Sequence, residues 1–217
     1  MDRRRWLRVG AAAALAAVAL VLWLKPEWWR GRQARPDFSA YLRVEEPRVT
    51  LIDGFRSYDS QQQVAQQLQA TGLAWSVERL HVEGTDDYPP YKLDSFVVPA
   101  YQHLGHAGRL KLEFFNDRLW SASFAPREAI GYWARLQRNG VQLRKTAVSV
   151  WERQDGNLRI ASNIIYATSN MGRTLGTEPY VVWEDLRLSA QSREWYDVYG
   201  SKHTLAPIKI TEPGAAP

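Results

Sequence analysis

Apolar positions along the chain fall into three successive patterns. The first is unbroken: Val9–Leu24 (VGAAAALAAVALVLWL) holds 16 residues without a charge. As a helix it would span about 24 Å, slightly short of a hydrocarbon core of about 30 Å. Leu7 and a snorkelling Arg8 extend it on one side. Trp6, Trp23, Trp28 and Trp29 bracket it as interfacial indoles do. The segment reads as an uncleaved single-span anchor, with Val9, Leu15, Leu20, Trp23 and Leu24 as anchoring residues. Two alternatives stay open. Ala17-Val18-Ala19 fits a signal-peptide cleavage pattern, and Arg3-Arg4-Arg5-Trp6-Leu7-Arg8 resembles a twin-arginine leader.

The second pattern has no period. Residues 25–47 mix charge with Gly31, Pro26, Pro36 and Pro47 and read as a juxtamembrane linker. The third alternates between helical and strand periods. Arg48–Phe55 has a weak strand pattern. Asp59 with Gln62 forms a box-like helix start. The helix that follows buries Val64, Ala65 and Leu68 and stops at Gly72. Strands are expected at 73–82 and 92–101, separated by a GTDDYPPY loop. The clearest hairpin pairs 109–115 with 118–124 across Asn116-Asp117. A second helix is expected from Pro126 to Asn139, with Ile130, Trp133 and Ala134 on its buried stripe. A further hairpin turns at Asp155-Gly156 between 146–153 and 157–168. Strands are expected again at 180–188 and 194–200, followed by a disordered polar tail at 201–217.

These elements make an α+β chain: an N-terminal transmembrane helix, then a domain at 48–200 of mostly antiparallel sheet with two packed helices. Both helices end in the pattern L-Q-x-x-G (68–72 and 136–140), which admits a tandem repeat.

Charge is distributed unevenly. Residues 1–35 carry eight basic and two acidic residues, net +6, and the remainder carries 20 basic and 21 acidic, net −1. A near-neutral body argues against nucleic-acid binding. The arginines before the apolar run place the N-terminus in the cytoplasm and the body in the periplasm. There is no Cys, which excludes disulfides, a thiolate nucleophile and a lipid-anchor cysteine.

Candidate chemistry is sparse. His103 and His106 could bind zinc with Asp94 or Glu113, but their spacing, broken by Gly105, favours two ordinary loop histidines. Acids are plentiful but scattered; adjacent ones such as Asp86-Asp87 and Glu184-Asp185 offer pairs that a two-carboxylate hydrolase could use. No common nucleotide, hydrolase or metalloprotease motif is present, and no cofactor is implied. Aromatics are abundant. Tyr88, Pro89, Pro90 and Tyr91 in the DDYPPY loop, with Trp183 and Arg187, are the expected partner-contact residues.

A membrane-tethered chain with helices on an antiparallel sheet, over residues 48–200, resembles in layout the BamE-type envelope modules and the β-lactamase-inhibitor-protein fold. The likeness is not one of motif. The lipid-attachment cysteine is absent, and Gly72-Leu73 lacks the proline such modules often place after this helix. The resemblance implies a binding or scaffold role and carries over no site residue. The expected function is therefore non-enzymatic: a single-pass inner-membrane protein whose periplasmic domain serves an envelope complex. The alternatives are a carboxylate hydrolase, or a subunit that assembles through its Ala-rich span.

Overall fold

A computed structural model describes residues 37–200 together with the backbone of Glu212–Pro213. The expected anchor, including Val9, Leu15, Leu20, Trp23 and Leu24, lies outside the described residues. Among those described, no helix is long and apolar enough to cross a membrane.

The body is α+β. Its strands are β1 (Ser76–Val82), β2 (Tyr91–His103), β3 (His106–Phe115), β4 (Arg118–Pro126), β5 (Arg144–Lys145), β6 (Trp151–Asp155), β7 (Leu158–Ser162), β8 (Val181–Asp185) and β9 (Glu212–Pro213). The helices are α1 (Gln61–Thr71), α2 (Ala129–Arg138), α3 (Ile164–Ala167), α4 (Asn170–Thr174) and α5 (Leu186–Tyr199). One sheet contains all the strands, in the order β5-β6-β7-β8-β4-β3-β2-β1-β9, and every pairing is antiparallel. Each half of the chain runs as a helix followed by a four-strand meander, and the halves meet through their last strands, β4 and β8.

Cross-strand register explains the layering. Val77, Phe96, Leu112, Ala122, Trp183 and Ile160 form one row across the sheet and all lie in the main core. Side chains alternate along each strand, so this row and its like-facing neighbours form an apolar face. Helices α1 and α2 pack on it through Val64, Leu68, Tyr132 and Leu136, each fully buried.

Several expected elements are displaced. The cap of α1 is Ser60, not Asp59: Ser60 Oγ accepts from Gln63 N and Gln63 Oε1 accepts from Ser60 N, a complete capping box. Asp59 instead accepts from Arg48 Nη1 at 3.0 Å and from Arg56 N at 3.2 Å. Pro126 ends β4 rather than opening α2, which starts behind an N-cap Glu128 whose carboxylate accepts from Gly131 N. That shift turns the helix: Ile130 is 66% exposed while Tyr132 and Leu136 face the core. Residues 48–55 form a looped segment, with a single bridge from Thr50 to Arg56, that inserts Leu51, Ile52 and Phe55 into the core. Residues 163–168 hold helix α3 instead of continuing the hairpin strand.

The largest correction is at 194–200, expected as a strand and found within helix α5. Its Trp, Tyr and Val favour strands on intrinsic grounds. Asp185 overrides that preference by capping the helix start, accepting from Arg187 N. Leu188 and Trp195, two turns apart, are then both fully buried. Two residues of the expected disordered tail, Glu212 and Pro213, pair with Val77 and Ser76 as the edge strand β9.

Residues 38–47, expected as linker, are strapped onto the body. Arg118 donates to the carbonyls of Ala40 and Arg43, Asn116 to that of Tyr41 and Arg187 to that of Pro47. Asn116 also donates to Pro90 O and accepts from Lys92 N. Replacing Asn116 by Ala strands three backbone groups and is expected to lower unfolding free energy by about 2–4 kcal/mol in chemical denaturation. A loss below about 0.5 kcal/mol would show that this side chain does not organise the turn and strap.

Candidate functional site

One residue along from the core row, the register aligns Glu78, Ser95, Glu113, Ser121, Glu184 and Arg159 on the opposite face of the sheet. No described element covers the middle of this face. Its floor is made of small residues, Ser95, Ser121 and Ser123, between ion pairs. Arg159 bridges Glu152 at 2.6 Å and Glu184 at 2.7 Å, and Lys111 holds Glu113 at 2.7 Å. The two bonds to carboxylates raise the pKa of Arg159 against an opposing burial effect that is the largest single contribution. The guanidinium stays charged and fixed in place.

At one end the open face meets α5. A second apolar cluster of Tyr91, Phe115 and Trp195 seals that junction, with Trp120 packed against it. A bulge between Glu113 and Phe114 in the β3–β4 pairing leaves Trp120 as the extra residue, which places it on the same side as Ser121. Trp120 lies between two adjoining hollows of about 390 and 380 Å³ that both reach Lys111 and Glu113. Its buried indole N–H has no hydrogen-bond partner among the described residues, nor does the buried Gln191 Oε1 on α5.

A separate cavity of about 540 Å³ opens on the other side of the sheet, where β1, β2, the start of α1, the 84–90 loop and the strap meet. Its wall contains Asp94, 2% exposed. Asp94 Oδ1 is 2.8 Å from His81 Nε2 and 3.7 Å from Arg79 Nε, and Oδ2 accepts from Gln61 Nε2 at 2.8 Å. A carboxylate at that distance requires a proton on Nε2, so the neutral ring presents Nδ1 as an acceptor.

The residues expected to contact a partner are distributed differently. Trp183 is buried in the main core. Tyr91 stacks on Trp195 with ring centroids 4.3 Å apart, and Pro89 O accepts from the Trp195 indole. Both therefore hold α5 to the sheet. Arg187 forms a two-point pair with buried Asp185 and lies 5.1 Å from the centroid of the Tyr58 ring. Tyr88 and Pro90 alone of the six line the 540 Å³ cavity. The acids do not assemble a two-carboxylate site. Glu184 and Asp185 project to opposite faces, Glu184 onto Arg159 and Asp185 inward to Arg187, while Asp86 and Asp87 sit in an exposed loop.

His103 and His106 face each other across a two-residue turn of Leu104 and Gly105, both at positive φ. Their other neighbours differ. His103 Nδ1 is 2.8 Å from the Tyr132 hydroxyl and its Nε2 is 3.6 Å from Asp53 Oδ1. His106 lies 3.8 Å from Glu128. Asp94 and Glu113, the further ligands a zinc site would have needed, are taken by His81 and Lys111. Among the described residues no three potential ligands gather around a metal position. His81 and Gln61 were not singled out by the sequence, whose only trace of this cluster is that Arg79, His81 and Asp94 lie on one face of paired strands.

Burial lowers the pKa of His103, opposed by the negative charge of Asp53. The unfolded chain therefore takes up a proton below about pH 6.5 that the folded chain resists. Stability is expected to hold above that pH and to fall as pH drops below it. In thermal melts from about pH 7.5 to about pH 5.5, His103→Gln should lose melting temperature less steeply than the wild type. Equal slopes would remove His103 as a source of acid sensitivity.

No protein-family model matches the sequence, and no curated protein matches it.

Proposed function

We propose that this chain is a membrane-anchored periplasmic binding or scaffold protein, and that a protein partner of an envelope complex docks on the open face of the sheet. The observation that carries this reading is the uncovered face itself: six adjacent strands present half-buried ion pairs and small residues around Trp120, with an apolar rim at α5. Such a surface joins an aromatic anchor to ordered charges, the composition of a specific interface. The ordering of Arg159 by two carboxylates, and of Lys111 by Glu113, reduces the entropy lost when a partner contacts them. The uncharged run Val9–Leu24 between Arg8 and Lys25, with the dense arginines before it, supports the anchor and the orientation.

The body fits a tandem repeat of one helix and four strands. Leu68 and Leu136 are both fully buried, and Gly72 and Gly140, four residues on, both have positive φ. The repeated L-Q-x-x-G thus performs the same task twice, seating the last helical turn and then reversing the chain through a conformation glycine adopts without strain. Joining two such units by their final strands would produce one broad face from two narrow ones.

Crosslinking in intact cells, followed by purification of the full-length chain from membranes, is expected to recover a stoichiometric protein partner. Lys111→Glu and Ser123→Arg should reduce that recovery by about tenfold or more without lowering the melting temperature, whereas Ile130→Arg on the helix side should not. Recovery indifferent to the open-face variants, or no partner at all, would overturn the reading.

A further inference from the structure

We propose that the cavity beside Asp94 binds a neutral carbohydrate of one or two rings. This site lies apart from the open face and does not depend on the function proposed for it.

Asp94 is matched by Arg79, and Lys92 pairs with Glu83 at 3.1 Å. An added phosphate would have to break one of these pairs, and it would also meet the Asp117 carboxylate in the same lining. A neutral ligand leaves them intact. Next comes hydrogen-bond polarity. Asp94 uses both oxygens on its own neighbours, so it acts as a positioning residue. What it positions is acceptor capacity: Nδ1 of His81 and, because the Gln61 amide nitrogen is already donating to Asp94, the Gln61 carbonyl oxygen. Asp117 completes the set. Its Oδ1 accepts from Gln61 N at the start of α1, which leaves Oδ2 toward the cavity it lines. Three acceptors in one lining match a neutral ligand rich in hydroxyl or amide donors.

The remaining walls are apolar. Phe38 and Leu42 of the strap and Tyr88 and Pro90 of the loop line the same cavity, and Phe38 and Tyr88 both pack against Tyr199, with ring centroids 6.5 and 6.4 Å away. A lining that joins aromatic side chains to planar hydrogen-bonding groups suits a sugar ring, whose C–H face is apolar and whose edge is polar. A space of about 540 Å³ suits one or two rings. The chemistry also favours binding over catalysis. Asp94 occupies the distal imidazole nitrogen, so the nitrogen left for a ligand is the one beside the backbone, a poor position from which to move a substrate proton.

The test is titration of the full-length chain with glucose, maltose, N-acetylglucosamine and its β-1,4-linked disaccharide, with methylamine and inorganic phosphate as charged comparisons. The His81 imidazole C–H signals are followed by NMR. At least one sugar is expected to shift them saturably with Kd between about 10 μM and about 10 mM. Gln61→Ala and Tyr88→Ala should weaken that sugar by about tenfold or more while the thermal transition is retained. Asp94→Asn should weaken it similarly by freeing the imidazole to rotate. If Tyr88→Ala does not fold, Tyr88→Phe and the wild-type titration decide the matter. No sugar-dependent shift, or a larger saturable shift with methylamine or phosphate, would overturn the proposal.

Discussion

A buried arginine without a carboxylate partner is the constraint on which this body turns. Arg118 is 3% exposed. Its guanidinium donates to Phe115 O within its own hairpin and to two strap carbonyls, Ala40 O and Arg43 O, and it lies 5.4 and 6.0 Å from the ring centroids of Phe115 and Tyr58. Burial lowers its pKa to about 10, with partial relief from Tyr58 and Glu45. At neutral pH it stays charged in a site with little water, so the backbone oxygens must be there to receive it. The strap is held by its carbonyls, through Arg118, Asn116 and Arg187, and by Tyr41 against the second cluster and Phe38 against Tyr199.

The same hairpin turn reaches almost every other part. In the run FFNDRLW, Phe114 enters the main core and Phe115 the second cluster. Asn116 and Asp117 take the positive-φ positions of the turn, which their short polar side chains tolerate. Asp117 then receives the first amide of α1, Leu119 exchanges backbone bonds with Tyr58 and Asp59, and the bulged Trp120 lies on the open face. Seven consecutive residues thus join both cores, the strap, one helix start and the candidate interface. Each position of the run meets a different requirement.

The two sides of the sheet divide the work. The helix side takes the apolar row and buries matched polar pairs within it: His103 against Tyr132, and Tyr101 donating to Asp53 at 2.9 Å. Burial raises the hydroxyl pKa of both Tyr101 and Tyr132, so both remain un-ionised. The other side keeps its charges in prearranged pairs. Tyr58, between the guanidinium groups of Arg118 and Arg187, marks where the strap and α5 converge. Burial and Asp185 push its hydroxyl up to about 12.

Local signals were legible in the sequence wherever the physics is local. The turns at Asn116-Asp117 and Asp155-Gly156, the left-handed stop at Gly72, the period of α1 and the α+β class all follow from residues within one turn or one hairpin of each other. Elements that depend on distant partners were misread. The strand-forming residues of 194–200 are helical because Asp185 caps them and Trp195 has a pocket made by Tyr91 and Phe115. Ile130 seemed a core residue until the cap at Glu128 set the rotation of α2. Trp183 and Tyr91 have the composition of contact residues, yet the packing consumes them. His81 and Asp94 stand 13 residues apart and meet only because β1 pairs with β2 in one register. The amino-acid sequence by itself determined the hydrophobic periods, the turns and the uneven charge, since each is written in neighbouring residues. Which face stays open, which aromatics are spent on packing and which polar groups share a cavity were decided only by the tertiary structure, because strand register and helix rotation bring together residues that no local pattern relates.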